Sequence, residues 1–314
     1  MTPLQIGLIA LGAFVLYLLL SGIVYRKVVR LDPREQYQVV NQSDAFFAPS
    51  WDWYKAVPKE TVHIRSYDGI RLGATYIPSA DKNSELLAIV QHGYHANSTD
   101  MAAIAKFYSD LGFKILLPDL RGHGLSGGTF CSFGVFEQYD LRKWINYCLR
   151  IYGSNDKVLL HGVSMGASTI LMAAGKSLPE NVKLLVADSP YTSFMKVLRK
   201  MAKPKIGILL FPGLHLITYF LHRFTIHQAN VLKSARKITY PTAFLHGDHD
   251  RVCPPAMSNE LYHALPATKK DQLIVKDAPH GEGYVADKDG VESFLLDRLV
   301  AQFGIKRPKP TKRS

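Results

Sequence analysis

The sequence predicts an α/β fold, a mostly parallel sheet covered by helices on both faces, with an apolar anchor ahead of it. Three observations carry that expectation. Short apolar runs at 86–90, 114–117, 158–160, 182–186, 242–245 and 272–275 alternate with helix-length segments, the pattern of a parallel sheet. One run leads into Gly162-Val163-Ser164-Met165-Gly166 and then into small residues and good helix formers, the setting of a strained strand-to-helix turn that presents a serine. Polar residues collect where the runs end, at His92-Gly93-Tyr94, Pro118-Asp119, Asp188-Ser189, His246-Gly247-Asp248 and Pro279-His280. Ligands of open α/β sheets bind beyond the carboxyl ends of the strands, so one pocket is implied.

The elements follow in order. The chain has 314 residues, 47% of them hydrophobic, enough for one large core plus an anchor. Residues 6–25 carry no charge and are dominated by Leu, Ile, Val and Ala, and about 20 such residues cross a bilayer core as a helix. No basic residue precedes the run and no small-x-small site follows it, so residues 1–30 read as an uncleaved transmembrane anchor. Arg26, Lys27, Arg30 and Arg34 come directly after and bias the rest of the chain to the cytoplasmic side. No candidate catalytic residue lies in the anchor, so its removal is expected to leave an active, soluble domain. Residues 31–60 form a connecting segment whose Phe46, Phe47, Trp51, Trp53 and Tyr54 either sit at the lipid interface or dock on the domain.

From 61 the chain turns strand-like. Val62 and Ile64 alternate with His63 and Arg65, and Asp68-Gly69 makes a hairpin into 71–77. The domain is expected over 61–305, interrupted at about 191–240 by an insertion. Its apolar stretch 206–224 is broken by Pro212 and Gly213. Two short lid helices over the sheet fit that break better than a second membrane span. Residues 306–314 form a basic tail.

Net charge is +12, from 38 basic and 26 acidic residues. No nucleic-acid signature accompanies it, so the excess points to a membrane surface and not to nucleic acid. Cys131, Cys148 and Cys253 are widely spaced and odd in number, offering neither a disulfide framework nor a metal site.

Ser164 needs a base to take its proton and a third group to orient that base. The order on this fold is serine, acid, histidine, which leaves His263 and His280. His263 lies in a helical pattern, whereas His280 lies in a loop after the last strand, so His280 is the expected base. The acid belongs after the preceding strand: Asp250 is chosen, with Asp248 the alternative that braces the turn. His246, Asp248, His249 and Asp250 lack a partner cluster at ligand spacing, and no metal or cofactor is expected. The oxyanion of an acyl transfer requires two N–H donors, expected from Met165 and from Tyr94. The glycine-rich segment 119–128 lacks a Gly-Lys-Ser/Thr ending and reads as a structural loop beside the site.

Together these motifs resemble the α/β-hydrolase superfamily: His92-Gly93, Asp119-x-Arg121-Gly-His-Gly-x-Ser126, Gly162-Val-Ser-Met-Gly166, Gly247-x-x-Asp250-x-Val252 and His280-Gly281. The stretch from Val186 to Ser193 and the helix around Asp140 to Ile145 are similar to the bacterial membrane-anchored or cell-surface branch. That branch is related to esterases and to serine peptidases of the prolyl-oligopeptidase type. The resemblance covers about 59–303 and implies a serine hydrolase with no cofactor, taking a small-molecule or lipid-like acyl substrate; its cell-surface members point the domain outward, against the charge bias. An ester is the first expectation. An amide, peptide or thioester is the second, and a catalytically silent binding module the third.

Overall fold

The computed structural model describes residues 1–32, 44–202 and 205–307; Arg34 and the tail bases Lys309, Lys312 and Arg313 lie outside them. Eight strands form one sheet: β1 (Glu60–Arg65), β2 (Arg71–Ile77), β3 (Leu86–Gln91), β4 (Lys114–Pro118), β5 (Lys157–Val163), β6 (Val182–Asp188), β7 (Thr242–Gly247) and β8 (Lys270–Val275). Their spatial order is β1-β2-β4-β3-β5-β6-β7-β8. β1 and β2 pair antiparallel, as do β2 and β4, and the remaining pairs are parallel.

The helices are α1 (Pro3–Val28), α2 (Ala48–Ala56), α3 (Ala102–Asp110), α4 (Glu137–Ile151), α5 (Met165–Ala174), α6 (Phe194–Met201), α7 (Phe211–His222), α8 (Val231–Ala235), α9 (Pro255–Ala264), α10 (Gly283–Ala286) and α11 (Lys288–Phe303). They cover both faces, which is why the inner strands read as continuous apolar runs. Leu87 and Ile89 of β3 join the core under α4 and α5, while Ala88 and Val90 join the one under α3 and α11. A strand's side chains alternate between faces, so one run feeds two cores.

Three features refine these expectations. α1 is exposed along most of its length, and it is long and apolar enough to cross a membrane. The residues after it are not a free linker. Val29 and Leu31 are fully buried, the Leu31 amide donates to Thr129 O, and the Cys131 amide donates to Val29 O. The core of the sheet domain thus begins at Val29, and a cut after residue 30 falls inside it. Second, α2 docks on the domain: Tyr54 is buried, and Trp51 and Trp53 pack on the core it shares with α3. Third, the apolar stretch is helical in two pieces, a 3₁₀ helix at Lys205–Leu210 and then α7, but the break falls just before Pro212 and Gly213 and not at them. They occupy the first turn of α7, where proline is tolerated because its missing N–H would have had no partner.

Candidate active site

β5 runs into Ser164 and α5 begins at the next residue. Ser164 has φ 55° and ψ −110°, a left-handed conformation that costs a non-glycine residue about 1–3 kcal/mol. Its surroundings hold it there: the Ser164 amide donates to Asp188 O at 2.7 Å, and its carbonyl accepts from the Ser168 amide at 3.0 Å. The flanking glycines make the turn possible. A Cβ on Gly162 would stand 2.4 Å from Gly166 C, and one on Gly166 would stand 2.5 Å from Gln91 O. Both neighbours are backbone and cannot swing aside.

The loop after β8 brings His280 over this turn, with Nε2 2.8 Å from Ser164 Oγ and Nδ1 2.6 Å from Asp250 Oδ2. The loops after β7 and β8 are tied together, the Asp248 amide donating to Val275 O and the His249 amide to Ala278 O. Asp250 is buried. Its Oδ1 accepts from the Val252 and Cys253 amides at 2.8 Å each. Burial alone would raise its pKa, but hydrogen bonds from His246 and His280 outweigh that and hold the carboxyl well below the usual range. An ionised carboxylate beside Nδ1 keeps the proton on that nitrogen, which leaves the Nε2 lone pair facing the serine hydroxyl.

The other candidates are placed apart from this chain. Asp248 faces the exposed ring of His249 at 3.2 Å. His263 is exposed on α9, its Nδ1 2.8 Å from Asn259 O. Among the described residues no group of three His, Cys, Asp or Glu side chains could hold a metal ion. Met165 is the first residue of α5, where an amide has no intrahelical acceptor. Tyr94 follows β3 in a loop that faces the nucleophile, since a Cβ on Gly93 would stand 3.4 Å from Ser164 Cβ. The Tyr94 phenol donates to Val28 O at 2.8 Å, tying that loop to the end of α1.

Sequence reasoning missed two residues. His246 is fully buried, with Nε2 3.0 Å from Asp250 Oδ2 and 2.7 Å from Cys253 O. Both neighbours only accept, so Nε2 carries the proton and His246 is a second donor that steadies Asp250. Its spacing of four from Asp250 was visible, but it read as part of a metal-like cluster. Asp188 is the other. Burial raises its carboxyl's pKa; it accepts from Ser189 Oγ, which in turn accepts from the Gly281 amide at 3.2 Å. One loop thereby braces both the serine turn and the histidine loop.

The glycine-rich segment is structural, as read. Asp119 accepts the Ser98 and Leu125 amides, and the buried Arg121 guanidinium pairs with Asp140 and Asp68. His92 accepts the Leu120 amide at 2.9 Å through Nε2, and burial lowers its pKa to about 4.

Two cavities meet at Ser164 and His280. One, of about 470 Å³, is lined by Tyr94, Phe133, Tyr191, Phe194, Leu198 and Phe211 among others. The second, of about 380 Å³, is bordered by Phe47, Asp100, Met101, Ile104, Glu282 and Tyr284. A hollow of about 530 Å³ near α2, α3 and α11 holds none of Ser164, Asp250 and His280.

Residues 89–206 match the family described as alpha/beta hydrolase fold, and residues 215–281 match that of serine aminopeptidase, S33. The chain is 24% identical to YqkD of Bacillus subtilis over 285 residues, covering 90% of this chain and 92% of that protein. It is 26% identical to YfhR of Escherichia coli K12, over 77% of this chain and 82% of that one. It is also 24% identical to the membrane protein YNL320W of Saccharomyces cerevisiae, over 78% and 82%. In structure it resembles the Pyrococcus furiosus esterase Pf2001, with TM-score 0.65 and 22% identity over 85% of this chain and 99% of that one. Acetyl xylan esterase 1 of a Thermoanaerobacterium gives TM-score 0.57 and 18% identity, over 85% and 96%. At such identities the likeness to the solved structures is one of fold. Fold and site define a hydrolase. The chain belongs to the α/β-hydrolase superfamily.

Proposed function

We propose that the protein cleaves a carboxylic ester through a covalent acyl-enzyme. Ser164 Oγ attacks the carbonyl carbon while His280 Nε2 takes its proton, and Asp250 holds the imidazole in the required tautomer. The tetrahedral oxyanion is met by the Met165 and Tyr94 amides. Collapse breaks the ester bond, and His280 hands its proton to the departing alkoxide. Water then repeats the sequence on the acyl-enzyme and releases the acid. The observation that carries this reading is the unbroken chain from Ser164 Oγ to His280 at 2.8 Å and on to Asp250 at 2.6 Å.

The mostly apolar lining of the 470 Å³ cavity favours an acyl group there. The serine aminopeptidase match makes an amide the second reading. Holding a peptide's free ammonium takes a carboxylate, and Asp100 and Glu282 border only the other cavity. A fluorophosphonate probe should label the wild type, and Ser164→Ala should lose labelling together with turnover. Labelling that persists in the variant removes the mechanism. Comparing esters of rising acyl length with peptides and thioesters decides the bond cleaved.

α1 supports attachment to a membrane, and Arg26, Lys27 and Arg30 at its end favour a cytoplasmic hydrolase domain. Protease added to intact cells should then leave the chain whole. Digestion of the domain would reverse the orientation.

A further inference from the structure

We propose that α7 and the turn before it enter the same bilayer leaflet as α1, so that a membrane-resident acyl ester reaches Ser164 from the lipid. The substrate class is a long-chain acyl ester of a bilayer lipid, a deepening that rests on the ester reading above.

Depth is set by the contacts between the two helices. Tyr17 donates its phenol to Leu209 O at 3.2 Å and accepts the Gly213 amide at 2.8 Å, and Ser21 Oγ lies 3.4 Å from Leu210 O. Farther along, Tyr25 Oη meets His222 Nε2 at 2.7 Å. The helices therefore run parallel, with the start of α7 level with Tyr17 and Ser21 and its end level with Tyr25. Eight residues separate Tyr17 from Tyr25, roughly 12 Å along a helix. Tyr25 closes the uncharged run of α1, so Leu209 sits about that far inside a hydrocarbon core roughly 30 Å thick. α1 cannot occupy the bilayer at this register unless the start of α7 enters with it.

The chemistry of the contact agrees. Backbone groups in lipid must be satisfied by protein, because no water is present to do so. Here side chains of α1 serve backbone groups at the start of α7. A Cβ on Gly213 would stand 2.2 Å from Ser21 Oγ, the close approach at small residues typical of helices packed in membranes. The outward side chains are apolar: Leu209 is 67% exposed, Phe220 63%, Leu221 61%, and Met201 at the end of α6 62%. Arg26 and Lys27 in the last turn of α1, Arg199 and Lys200 in that of α6, and Arg223 capping α7 supply basic groups for anionic headgroups.

The same contact roofs the cavity beside the serine. Val24 and Val28 of α1, Phe211 of α7, and Met201 and Gly207 line it together with Ser164 and His280. An acyl chain passing between α1 and the insertion meets mostly apolar side chains from leaflet to nucleophile, with Lys27 also on the cavity's lining. The headgroup side of the ester faces the second cavity, whose border includes Asp100 and Glu282.

The test uses the full-length protein in phosphatidylcholine–phosphatidylglycerol vesicles. A bimane label on Leu209→Cys should be quenched by lipids brominated on the acyl chain and shielded from aqueous iodide, and a label on Ile151→Cys should show the reverse. The native cysteines are buried and stay unlabelled. Iodide quenching at 209 equal to that at 151 overturns the insertion. In parallel, Leu209→Asp should hydrolyse a vesicle-borne long-chain ester about tenfold more slowly, while a soluble short-chain ester is turned over within about twofold of wild type. Equal rates on both substrates, or equal losses on both, overturn the route from the lipid. If the wild type cleaves no ester at all, the ester reading fails, and the quenching result still decides whether α7 enters the bilayer.

Discussion

Replacing Asp250 by Asn tests the arrangement at its most constrained point. Four donors converge on this carboxylate: the Val252 and Cys253 amides on Oδ1, and His246 and His280 on Oδ2. An amide has only one acceptor oxygen. The two backbone donors cannot change, so the Asn oxygen must take the Oδ1 place and its NH₂ must take the other. His280 can meet an NH₂ only by accepting at Nδ1, which moves its own proton to Nε2. That nitrogen lies 2.8 Å from Ser164 Oγ and would then donate where it needs to accept. The equivalent tautomer change in a serine protease costs about 10⁴ in kcat, or roughly 5 kcal/mol of barrier. A loss of about 10³–10⁴ in kcat is therefore expected here, with KM little changed. Asp248→Asn should stay within about threefold, since that carboxylate faces only exposed His249. The assay is steady-state hydrolysis of a soluble short-chain ester by both variants. Retention of more than a tenth of wild-type kcat by Asp250→Asn would refute the reasoning, as would a larger loss in Asp248→Asn.

Other outcomes follow from burial. His92, His123 and His161 are held neutral by burial, which pushes them down to about 4, 3 and 3. Their folded pKa values lie below the unfolded one, so the stability they contribute is complete above about pH 6.5 and drains away as pH falls toward those values. Each can cost up to about 1.4 kcal/mol per pH unit, and on the order of 3 kcal/mol together between pH 6 and 5; urea unfolding in detergent at pH 7, 6 and 5 measures it, and a flat midpoint contradicts it. Leu31→Ala should lower the unfolding free energy by about 2–4 kcal/mol, because Leu31 is fully buried against Gly122. Leu19→Ala, on the exposed side of α1, should change it by less than about 0.5 kcal/mol in the same detergent.

The sheet was legible because its inner strands are apolar on both faces, and the serine turn because two glycines, a strand and a helix are all local requirements. The superfamily's chain order and the loop position of His280 pointed to a base, and those are again features of the linear chain. Choosing between Asp248 and Asp250 was a weaker matter. Both lie in one loop 30 or so positions before His280, and what separates them is the direction each side chain takes once β7 and β8 pair. His246 was visible four positions before Asp250, but its role was not, since that role consists of two acceptors that only folding brings to Nε2. The same holds for α1. Its apolar length marked it as an anchor, but Tyr17 meets Leu209 across 192 positions, and no periodicity encodes such a meeting. Local sequence thus determined which segments form strands, turns and helices, because backbone sterics and burial act over a few residues. Which helix shields the cavity, which carboxylate holds the histidine and where the core begins were decided by tertiary structure, because those contacts join residues that only the assembled sheet brings within reach.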